Sequence, residues 1–192
     1  MPTANQPALD FLLTRRSRPA KTLTTPVPSK AELTQLLTAA ARTPDHGKLE
    51  PWRFIVMEKP ALDRLSDAVK DHGRKTSKNE NQIFKATSQF ANAHLVVAVI
   101  NSPKPSEKIP QIEQTYSAGA VCLSLLNAAL ASGWGANWLS GWASHDAAFV
   151  QDNLGLESHE TVAGFIHLCT ETNAPPERPR PDLDTITTWL DH

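Results

Sequence analysis

Arg15-Arg16-Ser17-Arg18 gathers three guanidiniums and a hydroxyl into four consecutive residues. Guanidinium forks meet phosphate oxygens two at a time and serine adds a donor, so the chemistry on offer is anion binding. A solvated basic helix end, favoured by the helix dipole, is the simpler account of the same residues. A second polar string, Arg42-Thr43-Pro44-Asp45-His46-Gly47-Lys48-Leu49-Glu50-Pro51-Trp52-Arg53-Phe54, joins a predicted helix to a predicted strand. Loops held by rigid elements are where binding groups concentrate. Singly, its members are ordinary: His46 a loop histidine, Lys48 a solvent-facing cation, Trp52 a core ring. Gly133-Trp134-Gly135-Ala136-Asn137-Trp138-Leu139-Ser140-Gly141-Trp142 sets three tryptophans among glycines. Aromatic capping of the core explains it, as does a flat ligand ring approaching glycine backbone closely enough to meet its N–H groups. Arg178-Pro179-Arg180-Pro181 is either a solvated tail or a second anion contact.

Other chemistries lack their residues. The chain has no G-x-x-x-x-G-K-[ST], no G-x-G-x-x-G and no G-x-S-x-G, which argues against P-loop, Rossmann and serine-hydrolase readings. Its seven histidines are scattered, none in H-E-x-x-H or beside paired cysteines, so no metal is expected. His94 and His167 fall in strand-like runs and read as core residues. Cys122 and Cys169, without C-x-x-C spacing, suit buried thiols in a reducing cytosol. With 19 Lys plus Arg against 20 Asp plus Glu, the net charge of -1 gives no global field for nucleic acid or anionic membrane. Any anion site must be local.

The elements that would position these groups can be read from periodicity and punctuation. At 192 residues the chain is expected to form one domain, 1–192, with an extended Pro-rich tail at 173–192. Helices are predicted over Pro7–Arg16, from the Ser29/Glu32 capping box to near Arg42, over Pro60–His72 ended by Gly73, over Ile112–Ser132 ended by Gly133, and over Ala147–Asn153 with Ser144 as N-cap. Strands are predicted over Trp52–Glu58, His94–Ile100 and Thr161–Thr170, with a turn or short strand at Gly135–Trp142. The Ile112–Ser132 helix is apolar on nearly every side, so it is expected at or beside a dimer interface. Its apolar core, Ala118–Ala131, is shorter than the roughly 20 residues a bilayer span needs. Met1–Asp10 carries no secretory pattern, and a cytoplasmic location is expected.

Taken in order, these residues resemble the nitroreductase family, in its short, single-domain branch of FMN proteins. The resemblance is carried by Arg15-Arg16-Ser17, Arg42 with Pro44-Asp45-His46, Pro51-Trp52-Arg53-Phe54, Tyr116-Ser117-Ala118-Gly119, Gly135 through Gly141 and Gly164-Phe165-Ile166. It runs from about Asp10 to about Thr170, and the order and spacing of the motifs carry it rather than any one of them. It implies an α+β fold, a mixed sheet sandwiched by helices, in an intertwined homodimer with an FMN at each of two interface clefts. By the family pattern Arg15, Arg16 and Ser17 hold the phosphate and ribityl end. Arg42 and His46 contact the flavin, one such group often crossing the interface in related dimers. Trp138, Leu139 and Ser140 lie along the isoalloxazine ring, and Arg180 reaches the phosphate.

The implied activity is an FMN-dependent NAD(P)H oxidoreductase. Hydride passes from NADH or NADPH to FMN, the nicotinamide leaves, and a nitroaromatic, quinone or related small acceptor takes the electrons in ping-pong fashion. The flavin does the chemistry, so no catalytic side chain is named. Expected partners are a second subunit and a small-molecule acceptor, with no nucleic acid and no membrane. The alternative is a flavin-binding or flavin-handling protein of the same fold without efficient nitroreductase turnover. Two positions depart from the pattern: Glu50, where Gln commonly precedes Pro-Trp, and Leu139, where close relatives can carry Arg.

Overall fold

A computed structural model describes residues 3–191; Met1 and Pro2, which begin the Met1–Asp10 segment, and His192, the last residue of the expected domain and tail, lie outside the described residues. Helix α1 (Gln6–Thr14) leads through a 3-10 turn to the short β1 (Leu23–Thr24), followed by α2 (Lys30–Ala40) and β2 (Trp52–Glu58). Then come α3 (Lys59–Lys75), α4 (Glu80–Ala91), β3 (Leu95–Asn101) and the long α5 (Gln111–Ala131). The chain finishes with β4 (Gly135–Leu139), α6 (Trp142–His145), α7 (Ala147–Leu154), β5 (Thr161–Glu171) and one turn of α8 (Leu183–Ile186).

The five strands form one sheet in the order β1-β5-β3-β2, with β4 also paired to β5. Each of these ladders is antiparallel. β1 and β4 share one side of β5, β1 beside residues 170–171 and β4 beside 165–169. Every residue of β3 is buried, as its unbroken apolar run requires of a strand covered on both faces. Successive side chains point to opposite faces, so Val96, Ala98 and Ile100 pack with α3, α4 and α7. Leu95, Val97 and Val99 pack instead with α2 and α5. The architecture is the expected α+β one, with helices on both faces of the sheet.

Local departures have local causes. α1 stops at Thr14, two residues short of the expected Arg16, and Arg15 continues in extended backbone with ψ 146. The arginines therefore follow the helix instead of decorating its end. α3 runs through Gly73, which was expected to stop it; a Cβ there would lie 2.9 Å from Ile83 Cγ1 and 3.3 Å from Trp142 Cζ2. Glycine at that point lets α4 and Trp142 close on α3. Ser144 does not cap α7: Asp146 does, its carboxylate accepting from Phe149 N at 3.0 Å, while Ser144 Oγ closes a turn on Gly141. α4 was not anticipated. Its Asn79/Gln82 capping box and the spacing of Ile83, Ala86 and Phe90 are helical signals diluted by polar neighbours.

α5 buries only part of its circumference within the subunit. Ser117, Val121, Cys122, Leu125, Leu126 and Ala129 face the core, whereas Ile112, Tyr116 and Leu123 are exposed. Leu9, Leu12 and Leu13 of α1 and Leu183, Ile186, Trp189 and Leu190 of the tail are exposed as well. No helix among the described residues is long and apolar enough to cross a membrane.

Candidate cofactor site

The arginine segment is stitched to β4. Arg18 N donates to Ala136 O at 2.8 Å, and Asn137 Nδ2 donates back to Arg18 O. The Arg18 guanidinium pairs with Glu171 on β5, whereas Arg15 and Arg16 make no ion pair among the described residues. Arg15 Nη2 reaches Ser17 Oγ at 3.4 Å, and Arg16 Nη2 donates to Pro176 O at 3.2 Å. Arg180 Nη2 contacts Arg15 O at 3.5 Å and pairs with Glu177 at 2.8 Å. Arg15, Arg16, Ser17 and Arg180 are thus one group, although the tail bringing Arg180 lies at the other end of the chain.

The electrostatics of this group are unbalanced. Burial, and then the neighbouring charges of Arg180 and Arg16, hold the Arg15 guanidinium below its ordinary pKa. Arg15 Nε and Arg16 Nε are buried without hydrogen-bond partners, and neither residue makes an ion pair among the described residues. Buried donors normally find acceptors, and clustered like charges call for a counter-charge. A cavity of about 280 Å³, lined by Phe11, Thr14, Arg15, Arg16, Arg18 and Trp134 among others, opens at this point. An anion with several oxygens satisfies both requirements, and an FMN phosphate is such an anion. The residues present fit the group.

Trp138 and Leu139 continue β4 away from the arginines, opposite Ile166 and Phe165, and Ser140 follows them. Trp138 lies over Gly164, where a Cβ would come within 2.0 Å of the indole Nε1. That contact gives Gly164 its role in the Gly164-Phe165-Ile166 string. Asn137, which sequence reasoning passed over, is the side chain that fastens this strand to the arginine segment.

Arg42 and His46 sit elsewhere, on the loop between α2 and β2. Gly47, Lys48 and Glu50 all have positive φ, at 73°, 54° and 50°. Left-handed backbone at the two non-glycine residues costs roughly 1–3 kcal/mol each, and specific bonds hold it. Asp45 Oδ1 accepts from Leu49 N at 2.5 Å and Glu50 N at 3.2 Å. Ser117 Oγ on α5 donates to Pro44 O at 3.0 Å and accepts from Trp52 Nε1 at 3.3 Å. Thr43 and Ser124 share a hydrogen bond of 2.8 Å, and His46 Nδ1 lies 2.7 Å from Glu113 Oε2. Ser117, with Pro44, His46, Tyr116 and Ala120, lines an open cavity of about 400 Å³. Arg53 of β2, by contrast, is committed to Glu160 through two hydrogen bonds of 2.8 and 2.6 Å.

The two groups mark different ends of one helix. Ser117 lines the His46 cavity and Leu130 the arginine cavity. At about 1.5 Å per residue they stand roughly 20 Å apart along the axis. Within one subunit the fold therefore joins Arg15, Arg16, Ser17, Arg180 and the β4 residues, and sets the His46 cavity at the other end of α5. Among the described residues no group of three or more His, Cys, Asp or Glu side chains is placed to hold a metal.

A five-stranded antiparallel sheet between helical layers, with an arginine-lined cavity beside a Trp–Gly strand, defines an α+β protein. Residues 12–168 match the model of the Nitroreductase family, and the chain belongs to that family. It is 32% identical over 163 residues to Escherichia coli K12 YdjA, provisionally named an NAD(P)H nitroreductase, covering 85% of this chain and 87% of that one. A Haemophilus influenzae protein with the same provisional name is 34% identical over 165 residues, covering 85% and 88%. Among solved structures, a nitroreductase-like protein from Bacillus cereus superposes with TM-score 0.81 at 21% identity over 100% of both chains. A provisionally named nitroreductase from Desulfovibrio desulfuricans, solved with FMN, gives TM-score 0.73 at 22% identity over 99% of each. These two likenesses show the shared fold.

Proposed function

We propose that the protein is an FMN-dependent NAD(P)H oxidoreductase, acting as a homodimer whose flavin sites draw residues from both subunits. The carrying observation is the pair of buried, unpartnered guanidinium nitrogens of Arg15 and Arg16 beside Ser17 and Arg180. The NAD(P)H in the names of the Escherichia coli and Haemophilus influenzae relatives, and the FMN bound in the Desulfovibrio desulfuricans protein, support the reading.

Arg15, Arg16, Ser17 and Arg180 would hold the phosphate, and Trp138, Leu139 and Ser140 would flank the ring. Arg42 and His46 of the partner subunit would complete the site. Antiparallel contact between the exposed strips of two α5 helices brings the Ser117 end of one against the Leu130 end of the other, which closes the roughly 20 Å gap. It also covers Ile112, Tyr116 and Leu123, whose exposure in one subunit is otherwise unfavourable.

Bound FMN supplies two-electron transfer between a nicotinamide and an acceptor. For a nitroarene the balance is ArNO2 + NAD(P)H + H+ giving ArNO + NAD(P)+ + H2O. The chain's task is placement: donor and acceptor atoms must be held at about 3–3.5 Å with water excluded. Trp138, fixed on Gly164, supplies a rigid apolar wall for that purpose. Neither Glu50 nor Leu139 brings a cation, so Arg42 is the guanidinium left to support negative charge on the ring. No side chain is assigned as acid or base.

The test is spectroscopic. Purified protein supplied with FMN should show bound-flavin absorbance, bleach anaerobically with NADH or NADPH, and recover when a nitroaromatic or quinone is added. Flavin that binds but bleaches with neither nucleotide would make the protein a flavin carrier and end the reductase reading.

A further inference from the structure

Helix α5 is apolar round most of its surface, yet a polar seam runs along it. Glu113, Ser117 and Ser124 lie on this seam, and at about 100° per residue their spacing sets all three on one side of the helix. Each holds the loop between α2 and β2 at a different point. Ser124 shares a hydrogen bond with Thr43, Ser117 joins Pro44 O to Trp52 Nε1, and Glu113 Oε2 meets His46 Nδ1 at 2.7 Å.

The three contacts differ in kind. Thr43 and Ser117 are buried, so their bonds belong to the packing of the loop on the helix. The side chains of His46 and Glu113 are 62% and 44% exposed, and an exposed carboxylate–imidazole contact contributes little to stability. Glu113 stands in the first turn of α5, where the helix dipole favours a carboxylate whatever it faces. Its aim at one ring nitrogen is a separate feature. An ionised carboxylate can only accept, so in the neutral ring the proton sits on Nδ1 and Nε2, at the far edge, is an acceptor. Nε2 has no hydrogen-bond partner among the described residues, and the ring lines an open cavity with Glu113, Tyr116 and Ala120. The backbone beneath is fixed as well, since Asp45 Oδ1 accepts from both Leu49 N and Glu50 N.

We infer that Glu113 is a positioning residue for His46: it keeps the proton on Nδ1 and presents a bare Nε2 as the acceptor for a ligand N–H or O–H group. A carboxylate that fixes the tautomer and orientation of a working histidine is a general device. FMN carries both kinds of donor, in its ring imide and its ribityl hydroxyls. The ligand's identity therefore rests on the flavin reading, whereas the state of the ring rests on the His46–Glu113 contact alone.

The state of the ring can be measured without flavin. In protein with nitrogen-labelled histidine, observed at alkaline pH by long-range proton–nitrogen NMR, the His46 signals, identified by their loss in His46→Ala, should show the Nδ1–H form. Glu113→Ala should turn the ring to the Nε2–H form that a free imidazole prefers, and Glu113→Gln, whose amide oxygen still accepts, should restore Nδ1–H. With the presenting form reduced to about a fifth, the Kd for FMN should rise about fivefold in Glu113→Ala, while Tm stays unchanged. In a His46→Ala background the same substitution should move FMN affinity by less than about twofold, which a residue acting independently of His46 would not do. An Nε2–H ring in the parent protein, or a loss of FMN affinity on Glu113→Ala that persists without His46, overturns the inference. A Glu113-dependent Nδ1–H ring in protein that takes up no FMN upholds the role of Glu113 and removes the flavin reading instead.

Discussion

Arg180 Nη2 meets the backbone carbonyl of Arg15 at 3.5 Å, joining residues 165 positions apart and adding a cation to a guanidinium that already sits beside Arg16. The Pro-rich tail is thereby part of the arginine cluster. Without a bound anion this arrangement concentrates positive charge; with one, the same charges become the grip.

Removal of one guanidinium should separate binding from folding. Arg15→Ala relieves repulsion in the empty protein and deletes a charged donor in the loaded one. A charged hydrogen bond contributes about 1.5–3 kcal/mol, so the Kd for FMN should rise roughly 10- to 100-fold while Tm stays within a few degrees. Equal flavin content in mutant and parent at limiting FMN would remove Arg15 from the site.

The dimer proposal makes flavin binding depend on a residue far from the phosphate group. Leu123 is 43% exposed on the outer strip of α5. Leu123→Asp should shift the protein from dimer to monomer in sedimentation velocity and release flavin in parallel, with far-UV circular dichroism unchanged. A monomeric variant that keeps its FMN would show that one subunit suffices.

Acid stability should report on Glu160. The two bonds from Arg53, reinforced by Glu157 N, hold its carboxyl at about 2 against an ordinary 4.5. A depressed carboxylate contributes stability above the unfolded-chain value and loses it as pH falls toward 2. Glu160→Gln should cost about 2 kcal/mol at neutral pH and flatten the urea midpoint between pH 4.5 and 2. A midpoint profile identical to the parent's would show the pair to be energetically silent.

His167 should act in a higher window. Burial pushes its imidazole down to about 4, and its Nε2 has no partner in the core. The unfolded chain takes up a proton near 6.5 while the folded one does not, so stability is full above that pH and erodes on descent to about 4. NMR titration should find the His167 ring neutral at pH 5.5; a midpoint above 6 would refute this.

What could be read from the residues is what neighbours along the chain decide. The Ser29/Glu32 capping box starts α2 as expected, and the run Trp52–Glu58 is a strand over its whole length. Gly133, at φ 82, lies just past the end of α5, where a glycine was expected to stop the helix. Each of these signals acts within one turn or one strand, where backbone sterics and local hydrogen bonds suffice. The members of the proposed site were nameable as well, through the family order of Arg15-Arg16-Ser17, the His46 loop and the Trp–Gly run.

Relations between distant segments were settled only by the tertiary structure. Nothing near Gly73 announces that Ile83 and Trp142 will pack on it, so its helix-breaking tendency loses to the contacts its missing side chain permits. Glu160 becomes the partner of Arg53, 107 residues away, because the fold sets β2 beside the turn that leads into β5. The separation of the His46 and arginine groups follows from the length of α5, whose outer face is exposed at Ile112, Tyr116 and Leu123. Local chemistry chose the groups; the packing of elements chose which of them meet, since burial and charge pairing depend on distances that sequence separation does not encode.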